Sequence, residues 1–209
     1  MSDRRVDHVI YAVDDLETAG QTFYEEFGLA SVEGGRHPGW GTANRIVPLG
    51  NAYLELVAVV DSDEASTSDF GRAVSTAIAT SRHLVGWVVA TDDLEAVAKR
   101  LGLEVSRGSR TRPDGATLSW QLAGLASSLE AGALPLFIEW GGANELHPGK
   151  AQVDHGLIPR GIAWVEVAAD EQSLRSWLGD FDFDLRIVDG PPRLSAVSIR
   201  TDADEVVLR

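Results

Sequence analysis

Two stretches decide the fold: Asp7-His8-Val9-Ile10-Tyr11-Ala12-Val13-Asp14-Asp15-Leu16-Glu17-Thr18-Ala19 and Val85-Gly86-Trp87-Val88-Val89-Ala90-Thr91-Asp92-Asp93-Leu94-Glu95-Ala96-Val97. Each is a short apolar strand that runs into Asp-Asp-Leu-Glu and then into apolar residues spaced three and four apart. That pattern predicts helices over Leu16–Phe27 and Leu94–Leu101. Asp14 and Asp92 are the expected N-caps, and Gly28 and Gly102 the expected helix ends. The chain beyond each helix matches as well. Short strands (Ala30–Val32; Glu104–Ser106) lead into Gly/Pro/Arg-rich loops (Glu33–Gly41; Arg107–Gly115). Two further strands complete each unit, Ala43–Pro48 with Tyr53–Val60 and Thr117–Ala123 with Leu134–Trp140.

The unit β-α-β-β-β therefore occurs twice, over residues 1–61 and 84–142. Residues 62–83 link them: Asp61–Asp69 reads as an exposed acidic loop and Phe70–Thr80 as a bridging helix. After a long irregular loop, 143–160, a weaker third copy occupies 161–209, with strand Gly161–Val167, helix Asp170–Leu178 and strands Leu185–Val188, Ser195–Thr201 and Glu205–Leu208. The expected fold is α+β: paired βαβββ modules forming a cupped mixed sheet, plus a third partial βαβββ module. That third module would cover an open sheet edge or supply a homodimer contact.

Composition narrows the function. With 18 Lys+Arg against 32 Asp+Glu the chain carries −14, which repels phosphate backbones and anionic lipid, so neither nucleic acid nor membrane is an expected partner. There is no cysteine, hence no disulfide, thiolate ligand or thiol nucleophile. The apolar run Val9–Val13 is too short for a signal peptide, and nothing approaches the ~20 apolar residues of a membrane helix. A cytoplasmic location is expected. No phosphate-cradling glycine motif opens a helix, so no nucleotide cofactor is expected, and there is no Gly-x-Ser-x-Gly.

Asp7-His8-Val9 on a first strand, Tyr53-Leu54-Glu55-Leu56 on a fourth, and His37-Pro38-Gly39-Trp40-Gly41-Thr42-Ala43-Asn44 between them resemble the glyoxalase-like domain group. That group belongs to the vicinal-oxygen-chelate superfamily of glyoxalases, extradiol dioxygenases and bleomycin-resistance-type binding proteins. The resemblance covers roughly residues 6–165. It implies a divalent metal (Zn, Mn, Fe or Ni) in the cup, held by His8, Glu55 and, from the second module, Glu139. Counting back six residues from the shared Asp pair takes Asp14 to His8 and Asp92 to Gly86. The fourth ligand position is therefore a glycine.

An imidazole and two carboxylates form an N/O donor set suited to such ions, with open positions for a substrate bearing adjacent oxygens. Glu55 and Glu139 lie in apolar strands, where a carboxylate needs a cation, a proton or donors. Both are also the candidate catalytic bases. Glu55 in an ion pair with Arg45, and His8 bonded to a backbone carbonyl, are the structural alternatives. His37, Asn44, Arg45 and Trp120 are the expected substrate contacts, with Arg112 a further carboxylate binder. Trp40, Trp87 and Trp140 join Trp120 as candidate walls of an apolar pocket. His147 or His155 would close over the cup, and His83 is structural or replaces the missing ligand. The residues thus leave two functions open: a glyoxalase-like enzyme of lyase, isomerase or dioxygenase type, or a non-catalytic protein sequestering an apolar or aromatic molecule.

Overall fold

The computed structural model of the chain describes residues 4–111, 117–141 and 144–209. The first module runs β1 (Arg5–Ala12), α1 (Leu16–Phe27), β2 (Val32–His37), β3 (Thr42–Pro48) and β4 (Tyr53–Val59). Helices α2 (Ser62–Thr67) and α3 (Asp69–Ala79) lead to the second: β5 (Leu84–Ala90), α4 (Leu94–Leu101), β6 (Val105–Thr111), β7 (Thr117–Ala123), α5 (Leu125–Ala131) and β8 (Leu136–Gly141). Both module helices have the expected bounds, and Gly28 and Gly102 close them in the left-handed region at φ +64° and +68°. The caps sit one residue later than expected. Asp15 accepts from the Thr18 N–H and Asp93 from the Ala96 N–H, because a helix starting at the leucine is capped by its immediate predecessor.

The two modules form one curled eight-stranded sheet in the order β2-β3-β4-β1-β5-β8-β7-β6. Within each, the first strand pairs parallel with the last, and β1 meets β5 antiparallel at the seam. Alternation along the strands sorts their side chains onto two faces. Val9, Leu54, Leu56, Trp87, Val89 and Phe137 pack with Phe23 of α1 and Leu94 and Val97 of α4. Ile10, Val57, Val88, Leu136 and Ile138 line the opposite, concave face.

That concave face is already covered. Phe70, Val74 and Ala77 of α3 pack on it, flanked by Leu125 and Leu129 of α5. Burying the α3 side chains contributes on the order of 5 kcal/mol, enough to hold a short helix in place. The segment expected to be an acidic loop contains α2, capped by Asp61, and α5 has no counterpart among the expected elements.

The Gly/Arg-rich stretches expected as loops are largely the edge strands β2 and β6, and they use glycine for close approach. A Cβ on Gly34 would fall 2.0 Å from Asn44 Oδ1, and one on Gly108 2.5 Å from the Trp120 ring. Glycine here makes room for a neighbour's side chain.

The third unit has the expected element order: β9 (Pro159–Ala168), α6 (Glu171–Leu178), β10 (Asp184–Val188), β11 (Arg193–Thr201) and β12 (Glu205–Leu208). Its pairing differs. The order is β10-β9-β11-β12, so the strand after the helix returns directly beside the first. Among the described residues this sheet pairs with neither edge strand, β2 nor β6, of the large one. Val165, Val167, Leu174, Val197 and Ile199 join the core on the face carrying α1 and α4. Arg100 of α4 locks the contact by donating to the Ser176 and Trp177 carbonyls at the end of α6.

Candidate functional site

The polar residues of the first module converge at one end of the concave face. His8 and Glu55 come from the adjacent parallel strands β1 and β4, whose register pairs Ile10 with Glu55 and His8 with Tyr53. A break in the β1–β5 ladder sets the rest. Val6 pairs with Val89 and His8 with Val88, leaving Asp7 as an inserted residue. Such a bulge lets two successive side chains serve one face, and Asp7 contacts His8, Trp140 and His147 there.

Asp7 is fully buried and Glu55 8% exposed. Asp7 accepts from His8 Nδ1 (2.7 Å), from Trp140 Nε1 (2.9 Å) and from His147 Nε2 (3.0 Å). An ionised carboxylate can only accept, so His8 carries its proton on Nδ1 and turns Nε2 toward Glu55 Oε2, 3.8 Å away. His147 takes the Gly149 N–H on Nδ1 and turns Nε2 to Asp7. His37 is anchored through Nδ1 to Thr42 Oγ1 (2.9 Å), with Nε2 3.4 Å from Glu55 Oε1. Asn44 donates to the same Glu55 oxygen, and its own Oδ1 is buried without a partner among the described residues.

Burial pushes both carboxyls up, and their histidine neighbours outweigh it. His147 and His8 hold Asp7 well below the usual carboxylate range. His37, with His8 and Asn44, holds Glu55 at about 2. The ionisable partners of these two buried carboxylates are thus imidazoles, with no Lys or Arg in ion-pair distance among the described residues. Aromatic rings surround them. Tyr53 stacks on His8 at 4.3 Å, Trp140 meets His147 and Trp120, and Trp40 and Phe70 flank His37.

Several expected residues lie elsewhere. Glu139 does not join His8 and Glu55: its Oε2 accepts from the Leu94 N–H at the start of α4, on the opposite face. Since Ile10 pairs with Glu55 and Val88, six residues before Leu94 as Ile10 is before Leu16, pairs with Leu136, the counterpart of Glu55 is Leu136. Glu139 is three residues further on, an odd step that flips the face.

Arg45 follows Asn44 and so points away from the cup, donating to Ser31; it forms no ion pair with Glu55. Trp87 is core on the α4 face and donates to the Ala133 carbonyl. His155 ties the Ala30 N–H to the Pro48 carbonyl, leaving no nitrogen for the cup. His83 donates to the Ala12 carbonyl. Arg112 lies outside the described residues. His37, Asn44 and Trp120 are on the cup side. Asp7 and Thr42 join the site without having been expected there; Thr42 stands within the His-Pro-Gly motif, whereas the bulge that recruits Asp7 has no residue signature.

The carboxylate-anchored His8, the motif around His37 and Glu55, and the paired modules define the class. The chain belongs to the glyoxalase-like domain family, whose model matches residues 6–180. Among solved structures, a hypothetical protein from Staphylococcus aureus is similar over 99% of both chains at 18% identity, TM-score 0.70. That likeness extends to the second sheet. Methylmalonyl-CoA epimerase from Mycobacterium tuberculosis matches 68% of this chain and 89% of its own at 19% identity, TM-score 0.44. No curated protein matches. No helix among the described residues is long and apolar enough to cross a membrane.

Proposed function

We propose that the chain is a glyoxalase-like enzyme whose working groups are His8, His37 and Glu55, acting on a small molecule with adjacent oxygens and assisted by a divalent ion. One observation carries the reading. Two imidazoles, each anchored through Nδ1, direct Nε2 at a buried carboxylate from 3.4 and 3.8 Å, beyond ordinary hydrogen-bond length. Two ligands on one ion with bonds of about 2.1 Å stand about 3.0–3.5 Å apart. An anchored Nδ1 is also what a ligating histidine requires.

The fit is one of donor chemistry and orientation. No three His, Asp or Glu among the described residues form a ready-made shell, so closing on an ion requires small side-chain shifts. When bound, the ion supplies Lewis-acid polarisation of a substrate oxygen. Asp7 holds the His8 tautomer and stabilises positive charge on it. Thr42 orients His37, and Asn44 fixes the Glu55 carboxylate. With its low pKa, Glu55 stays ionised at neutral pH and balances cationic charge beside it. Trp40, Phe70, Trp120 and Trp140 supply an apolar surround that strengthens these electrostatics.

The sequestering alternative has less support, because α3 and α5 fill the concave face that would hold the guest. The test is elemental analysis after reconstitution with Zn, Mn, Fe or Ni. About one equivalent is expected for the wild type and for Glu139→Gln, with loss in Glu55→Gln and His8→Asn. Less than a tenth of an equivalent in the wild type would overturn the assignment.

A further inference from the structure

A second cleft, of about 350 Å³, lies where the end of α3 and the start of β5 meet β11 and the end of β12. Arg82, Arg193 and Arg209 line it together with Ser81, His83 and Ser195. None of its lining residues is Asp or Glu, in a chain with 32 of them.

Some arginines elsewhere are engaged by carboxylates: Arg36 with Asp61 and Glu64, Arg72 with Asp69, Arg175 with Glu171. Among the described residues, the three in the cleft have no carboxylate within ion-pair distance. Gathering unpaired guanidiniums is electrostatically unfavourable unless an anion joins them. A second, independent observation points the same way. Ser195, a lining residue, has a buried Oγ with no hydrogen-bond partner among the described residues, a cost that a ligand oxygen would relieve once the hydroxyl turns toward the cleft. His83 is oriented by donating Nδ1–H to the Ala12 carbonyl and stacking on Tyr11.

We propose that this cleft binds a small organic oxyanion, a phosphate monoester or a carboxylate, held by Arg82 and Arg193 with Ser195 donating to it. Guanidinium forks suit either planar carboxylate or phosphate oxygens. The cleft is roomy for an inorganic ion alone, so the anion carries an organic body. The site is separate from Glu55 and does not depend on any role assigned to it.

Calorimetric titration of the full chain with phenyl phosphate, with benzoate and with sodium chloride at matched ionic strength tests the site. Saturable one-to-one binding is expected for phenyl phosphate or benzoate and not for chloride, and the preferred probe tells phosphate ester from carboxylate. The Arg82→Ala/Arg193→Ala double variant should weaken binding at least about tenfold, and Ser195→Ala several-fold. If the alanine pair folds poorly, Arg82→Gln/Arg193→Gln keeps much of the stems and removes the charge. No binding above chloride, or binding that survives in a folded double variant, overturns the proposal.

Discussion

The two halves of the large sheet trace one chain path and put opposite chemistry on the concave face. In the first, β1 and β4 carry His8 and Glu55. At the matching points of β5 and β8 stand Gly86 and Leu136. The second half also inserts α5 before its last strand, and Leu125 and Leu129 pack where polar groups would otherwise face inward. The scaffold occurs twice; the polar groups of the concave face are concentrated in one copy, and the other is sealed by apolar packing.

The sharpest way to break this contrast is to move the charge. Leu136→Glu places an unpaired carboxylate in the α3–α5 packing and should cost about 4 kcal/mol, read as a fall in Tm of roughly 10 °C. An unchanged Tm would mean that the second half tolerates what the first was built to hold. Asp7→Asn should cost about 3 kcal/mol, because His8, His147 and Trp140 all donate to that carboxylate, and Asn presents an amide donor to one of them. A Tm loss in this variant smaller than about 3 °C would count against Asp7 as the hub.

Acid should act through the same residues. Asp7 and Glu55 hold protons less tightly folded than unfolded, where their usual values are 3.8 and 4.5. Their stabilisation is complete above about pH 5 and is lost as pH falls toward about 2, because the unfolded chain takes up protons first. For Glu55 this amounts to on the order of 3 kcal/mol. Denaturant midpoints between about pH 6 and about pH 3 should fall steeply in the wild type and less in Glu55→Gln; parallel curves would contradict the shift. The smallest effect is expected at Glu139→Gln, about 1 kcal/mol from weakened capping of α4. A larger loss would show that Glu139 does more than cap.

Much of the fold was legible because strand-to-helix transitions at Asp-Asp-Leu-Glu are written in local chemistry: an apolar run, a cap, a period near 3.6. The edge strands β2 and β6 were not, since Gly34 and Gly108 serve a neighbour's side chain rather than a turn. Around the site, His8, His37, Asn44 and Glu55 were readable from the motif. Alternation alone excludes Asn44 and Arg45 from sharing a face, and an odd step separates Glu139 from the position it was matched to. Asp7 required the β1 bulge, a property of the β1–β5 pairing that neither strand displays by itself. His147 reaches Asp7 across 140 residues of chain, through a link with no periodic pattern to place it.

Anomalous scattering from crystals soaked in Mn²⁺ or Zn²⁺ tests the central claim most directly. A single peak about 2.0–2.2 Å from His8 Nε2, His37 Nε2 and a Glu55 oxygen is predicted. A peak beside Glu139, or none near Glu55 at full soak, would contradict the account.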